Sequence, residues 1–335
     1  MKMLNDKSLK AIIGMIAFAA VLFLAPQRTA AQNLSASLSD KDVMVSEFNA
    51  LNVSDEFEVT VSRGNCGVRL TVDKDLAPYV EVYVRSKTLY VSYDEKAVPK
   101  DIKKLYKGRG GLDPVFRIVA YTPELKSVSL ADNATLTGVE EFTTDEFELT
   151  ATGKTQVKNL TVKCATAKVV LKKNAVASLD LKTDRGLEVS TDNSANLKLT
   201  FTGKELALNA DGSSVVVAEG PSKSLKLMTG GSSQVSVTSE TEEVELTTEG
   251  SSRLTLTGKA EEMKVKGSRS SSVDAFAMPL EKVEADLSNS SSVTVSVSKK
   301  VVANLVGGSA LYYSGTPEFE IEKIVKSTLA PYGTK

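Results

Sequence analysis

Histidine and tryptophan are absent from this 335-residue chain, which also holds only two cysteines and nine prolines. Without histidine there is no Ser-His-Asp or Cys-His dyad, no imidazole zinc ligand and no imidazole general base. Neither sign of charge is in excess, with 41 basic and 42 acidic side chains. Nucleic-acid binders usually carry a basic surplus, so nucleic acid is not an expected partner. Neither a G-x-S-x-G elbow nor a P-loop occurs. What is present is 41% apolar residues, enough in a chain of this length for a sizeable core.

The one long apolar run lies at the start. Residues 11–24 (AIIGMIAFAAVLFL) follow Lys2, Lys7 and Lys10 and precede the small residues Thr29-Ala30-Ala31. Fourteen apolar residues are few for a membrane span, and this order of features predicts a signal peptide over residues 1–31. The bland alternative is a retained membrane anchor. Cleavage would remove four basic residues and one acidic residue, moving the net charge from −1 to −4. No later run approaches spanning length, so the processed product has no expected transmembrane span. Cys66 and Cys164 then enter an oxidising compartment; a bridge and two free thiols both remain open, because spacing does not decide pairing.

From residue 126 onward the chain repeats itself. LKLMTGGSSQVSV (225–237), VELTTEGSSRLTL (244–256) and MKVKGSRSSSVDA (263–275) each read apolar-x-apolar, small polar residues, apolar-x-apolar. The first apolar residue of each unit is read at Val128, Phe147, Val169, Leu187, Leu206, Leu225, Val244, Met263, Val283 and Val301. The second pair opens at Leu136, Val157, Leu179, Leu197, Val216, Val235, Leu254, Val273, Val293 and Leu311. Period-two alternation makes each pair a strand with one face buried. Between the strands, Asp192-Asn193-Ser194, Asp211-Gly212-Ser213 and Gly230-Gly231-Ser232 supply turn residues. A unit of 18–22 residues is too short for a domain, so the predicted fold is all-β: a parallel β-solenoid of about ten coils. At roughly 4.8 Å per coil the stack would be about 48 Å long.

Residues 42–125 read as a less regular, β-rich N-terminal part, with strands at 57–61, 80–84, 88–92 and 115–121. Most of the tyrosines fall here, where they fit a core edge or cap better than a ligand platform. Residues 96–111 (KAVPKDIKKLYKGRGG) form a basic insertion carrying Lys96, Lys100, Lys103, Lys104, Lys107 and Arg109. An anionic polymer is one reading of that patch; a solvated loop flanked by Asp94, Glu95, Asp101 and Asp113 is the plainer one. The solenoid proper is expected over 126–317, with 318–335 as a tail or cap.

Taken in order, these features resemble a known family. Phe48-Asn49-Ala50-Leu51-Asn52-Val53-Ser54 followed by Phe57-Glu58-Val59-Thr60-Val61 is similar to the entry of the putative auto-transporter adhesin, head GIN domain family. Leu89-Tyr90-Val91, Thr122-Pro123-Glu124-Leu125 and the closing Gly308-Ser309-Ala310-Leu311-Tyr312-Tyr313-Ser314-Gly315-Thr316-Pro317 continue the resemblance over about residues 42–317. It implies an exported β-helical protein of Bacteroidetes-type bacteria, a surface ligand such as a glycan or matrix protein, and no catalytic residues.

The competing reading is an enzyme, since parallel β-helices also carry polysaccharide lyases and hydrolases. Those need clustered carboxylates for acid–base work or for calcium. Asp132, Asp192, Asp211 and Glu249 fall at similar corners, but Gly230, Ser268 and Ser288 interrupt them, which favours a turn-forming role. Ser296-x-x-Lys299 lies on an alternating strand, where a Ser-Lys catalytic pattern has no helix to sit on. Few aromatics (Phe201, Phe276, Tyr312, Tyr313) are on offer for sugar stacking in the repeats. The expected product is therefore an exported, non-enzymatic envelope adhesin or scaffold with no cofactor or metal, located in the periplasm, at the outer-membrane surface or outside the cell. A carbohydrate-active enzyme is the alternative.

Overall fold

The computed structural model describes residues 37–106 and 111–333. The expected signal peptide, residues 1–31, lies outside them, as do Lys107 and Arg109 of the basic insertion. No helix among the described residues is long and apolar enough to cross a membrane.

The local device that makes a coil is a left-handed corner. Each turn between the two strands of a unit places at least one residue at positive φ: Asn193 (62°), Gly212 (70°), Gly231 (62°), Gly250 (72°), Arg269 (57°) and Asn289 (51°). Glycine and asparagine adopt this region at little cost, and Asp or Asn side chains steady the bend. Asp192 and Asp211 accept hydrogen bonds from the backbone N–H of the next residue, at 2.6 and 2.7 Å. The corners stack, because the N–H one residue later donates to the corner carbonyl of the preceding rung: Ser213 to Asn193, Ser232 to Gly212 and Ser251 to Gly231.

Stacked corners hold the strands in parallel register, giving a solenoid of about 11 turns. One core column runs Leu187, Leu206, Leu225, Val244, Met263, Val283 and Val301. All seven are at most 2% exposed. The register corrects three of the landmarks read from the sequence. Ala167, not Val169, joins Phe147 to Leu187, so the uneven spacing on either side of that unit becomes two equal steps. Val169 and Val128 both align with Leu149, one inward position further on. Likewise Ala177, not Leu179, joins Val157 to Leu197. Alternation cannot separate two inward positions on one strand, and a bulky residue catches the eye before a small one. Here the small ones are the true partners, with Ala167 5% and Ala177 2% exposed.

Not all the small polar residues face water. Ser214, Ser233, Ser252, Ser271, Ser291 and Ser309 form a column at most 1% exposed, just inside the corner. Their hydroxyls mostly find partners: Thr229 with Ser252 and Thr248 with Ser271, both at 3.0 Å. Ser252 also donates to the Glu249 carbonyl at 2.7 Å. Ser233 is buried with no partner for its hydroxyl. A buried hydroxyl stabilises only when bonded, so the two serines should respond oppositely to truncation. Ser252→Ala is expected to cost about 1–2 kcal/mol by leaving Thr229 unpaired, while Ser233→Ala should cost nothing or stabilise. Urea melts of the two variants measure this, and equal losses would contradict the assigned hydrogen bonds.

The N-terminal third is woven into the stack. Strands β1 (Leu38–Val43), β2 (Ala50–Val53), β3 (Glu58–Arg63), β4 (Gly67–Asp73), β5 (Val80–Arg85), β6 (Thr88–Tyr93), β7 (Phe116–Thr122), β8 (Ser127–Leu130) and β9 (Thr135–Gly138) account for it. β2 pairs in parallel with both β6 and β8, and β3 with both β7 and β9. The first coil in sequence is thus the second in space: the chain makes an outer rung from β6 and β7, then returns past it. Antiparallel strands close that end, β4 on β7, β1 on β4 and β5 on β6. Under this cover Leu89, Val91, Ile118 and Ala120 of the outer rung are 0–2% exposed. Tyr93 and Phe57 pack against Phe116, at 4.8 and 5.1 Å between ring centroids, in the cap role expected for the aromatics.

Part of the basic insertion is helical where a loop is expected. The helix α1 (Lys100–Tyr106) packs Ile102 and Tyr106, one turn apart, against the core. Cys66 and Cys164 are both free thiols, Cys66 half-buried and Cys164 buried. Burial pushes the Cys164 thiol up to about 11, which makes it unreactive at neutral pH. At the other end, residues 318–331 continue the solenoid. Glu318–Val325 pairs in parallel with residues 300–306, one rung earlier, and Thr328–Pro331 pairs in parallel with the strand Ala310–Ser314.

Candidate functional site

The outward positions of the face that runs on from β8 build a column of charge across successive rungs. Reading rung by rung, one column runs Glu148, Lys168, Glu188, Ala207, Lys226, Glu245, Lys264 and Glu284. Apart from Ala207 the charge alternates along it, so each ammonium has a carboxylate on at least one neighbouring rung. Lys168 lies 3.7 Å from Glu188, and Lys226 lies 3.1 Å from Glu205 in the adjoining outward column. That adjoining column also pairs Glu262 with Lys282, whose ammonium holds the Glu262 carboxyl below its ordinary range. Such exposed pairs add little stability, but a slip of one rung would set like charges together. The sequence shows these residues only as scattered Glu and Lys. Their alternation appears when successive units are laid side by side.

A groove of about 660 Å³ opens on this face where small residues replace long ones. Thr166, Ala167 and Gly186 form its floor, and Lys126, Glu146, Glu188 and Glu205 stand at its edges. A second hollow, about 380 Å³, lies at the N-terminal cap. Tyr93, Tyr106 and Phe116 wall it, with Asp55, Glu56, Glu95 and Asp132 and the Lys103 ammonium around them. Asp55 accepts hydrogen bonds from the Tyr93 N–H and the Ser54 hydroxyl, both at 2.9 Å, and Glu56 accepts from Asn133 at 3.2 Å. Among the described residues no three carboxylates come near enough together to hold a metal ion.

The corner acids separate in space. Asp132 sits at positive φ (60°), where Gly153 and Asn193 sit in other rungs, whereas Asp192 occupies the position before it. Asp132 thus reaches the cap hollow and is not in line with Asp192, Asp211 and Glu249. Asp192 and Asp211 hold their own turns, and Glu249 meets Arg269 at 3.2 Å. Gly230, Ser268 and Ser288 share the column of these last three, as the sequence suggests. Lys299 is committed to Glu281 at 2.6 Å rather than to Ser296. Of the repeat's aromatics, Phe201 is buried, and Phe276 packs on Tyr332 at 4.8 Å. Nothing in the sequence announces the cap hollow, because Asp55 and Asp132 lie far apart in the chain and meet only through the β2–β8 and β3–β9 pairing.

No curated protein matches the chain. Among solved structures, a putative adhesin from Parabacteroides distasonis is 18% identical, covering 89% of this chain and 98% of its own, at TM-score 0.34. A putative adhesin from Parabacteroides merdae is also 18% identical, over 89% and 97%, at TM-score 0.33. A putative lipid binding protein from Parabacteroides distasonis is 13% identical, over 89% and 97%, at TM-score 0.32. The family model described as "putative auto-transporter adhesin, head GIN domain" matches residues 47–220 and again 177–317. Two overlapping matches are what a repeating chain produces, since the model can be laid on it at more than one rung. Together they span the cap, the corners and the charged face, and the chain belongs to this family.

Proposed function

We propose that the protein is an exported, non-enzymatic component of the cell envelope that binds a glycan or a matrix protein along its repetitive polar face. The observation that carries this reading is the outward column of alternating Glu and Lys, repeated over most rungs of a long sheet. Equivalent weak contacts at a fixed spacing favour an extended, repeating ligand, with affinity from the number engaged rather than from one desolvated pocket. The proposed signal peptide supplies the route of export. Residues 32–335 applied to immobilised glycans and matrix proteins should bind multivalently, with retention falling as salt rises.

The enzyme reading keeps one observation in its favour, the four carboxylates and three aromatic rings around the cap hollow. Incubation with a polysaccharide panel, with and without calcium, separates the two. No turnover is expected. Turnover abolished by Asp55→Asn or Asp132→Asn would replace the adhesin reading with the enzymatic one.

A further inference from the structure

The two ends of the solenoid are finished differently. At the N-terminal end the core residues of the outer rung are 0–2% exposed beneath antiparallel strands. At the C-terminal end the outermost strand of the charged face, Glu318–Val325, is paired on one side only among the described residues, and every residue in it is exposed. Phe319, Ile321 and Ile324 stack on the buried Val301, Ala303 and Leu305, yet are themselves 41, 46 and 40% exposed. They form the bare cross-section of the core, beside a free row of backbone N–H and C=O groups. An edge of this kind recruits another strand unless it is blocked.

The charges on that strand point to what covers it. Its first half carries Glu318, Glu320 and Glu322, and Lys323 and Lys326 follow. An antiparallel copy of the same strand lays the acidic half of each against the basic half of the other. A parallel copy would set like against like. Head-to-tail stacking would instead set this strand on β5, the outermost strand of the same face at the opposite end, in a heterologous contact that repeats without closing into a dimer. A two-fold contact is the arrangement in which one self-complementary patch closes on itself.

We propose that the processed chain forms a tail-to-tail dimer in which the Glu318–Val325 strands of two copies pair antiparallel and bury Phe319, Ile321 and Ile324. Sedimentation of residues 32–335 up to about 100 µM is expected to give twice the monomer mass. The double variants Glu318→Lys with Glu322→Lys, and Lys323→Glu with Lys326→Glu, should each sediment as monomers while still melting cooperatively. An equal mixture of the two should recover the dimer, since opposite charges again face each other. A monomeric wild type at that concentration overturns the proposal, whether the edge stays bare or takes another protein's strand. Dimers that survive both reversals overturn it as well. Hydrogen exchange on the unmodified chain provides a second reading should a variant misfold. Amides of 318–325 should gain protection as concentration rises, and concentration-independent exchange would count against the pairing.

Discussion

Replacing Leu246 with Asp is expected to destabilise the protein by at least 3–4 kcal/mol, roughly the cost of a carboxylate left in a close-packed apolar column. Leu246 is 1% exposed and stacks between Leu227 and Val265 on the adjoining rungs. No cation lies within that column to pair with a new charge, and the neighbouring rungs cannot part without losing their own ladder bonds. The matched exposed change is Lys264→Asp. Lys264 lies outward between Glu245 and Glu284, so the variant would line up three carboxylates on successive rungs. Repulsion in water at that spacing is about 1 kcal/mol per pair at most and is screened by salt. Urea melts should therefore show a large loss for Leu246→Asp at any ionic strength, and a small loss for Lys264→Asp that shrinks in high salt. Equal losses would mean the inward face is misassigned.

Gly258→Ala is expected to cost about 2–4 kcal/mol despite adding a single methyl group to an exposed residue. Gly258 adopts φ = 115°, a region essentially closed to residues with a Cβ. A Cβ there would lie 2.0 Å from the Ser239 carbonyl oxygen on the rung below. That atom is backbone, fixed by the ladder, so relief requires two rungs to move apart. Gly220 repeats the situation against the Phe201 carbonyl at 1.7 Å. Asn193→Gly provides the contrast. Its φ of 62° lies in the ordinary left-handed region, and glycine already fills that corner in the next three rungs. Loss of its 3.0 Å bond to Asp192 is offset by relief at positive φ, so the change in melting midpoint should correspond to less than about 0.5 kcal/mol.

The repeating part of the fold was legible because its signals are local. Two strands and a turn recur in every unit, and each can be recognised from alternation, Gly, Asn and Ser without knowledge of distant residues. The inward status of Leu246 and Leu254 follows from the same pattern, and both are at most 1% exposed. Register was less legible where alanine stands in the core. Ala167 and Ala177 look indifferent to burial in one dimension, and only the neighbouring rungs decide which inward position they fill. The serine column shows the same limit: Ser232 and Ser233 are equivalent in composition, but one faces water and the other is enclosed.

By itself the sequence determined the strand period, the positions of the corners, the absence of imidazole chemistry and the family. Each depends on residue type at short range, where backbone preference and side-chain polarity act directly. The tertiary structure alone decided that β2 and β3 lie between rungs made later in the chain, and that charge alternates along the outer face. It also decided that carboxylates distant in the chain share one hollow and that, among the described residues, only one end of the core is covered. These are properties of stacking. They depend on which residue comes to rest about 4.8 Å away on the next rung, and that distance in space has no fixed counterpart along the chain.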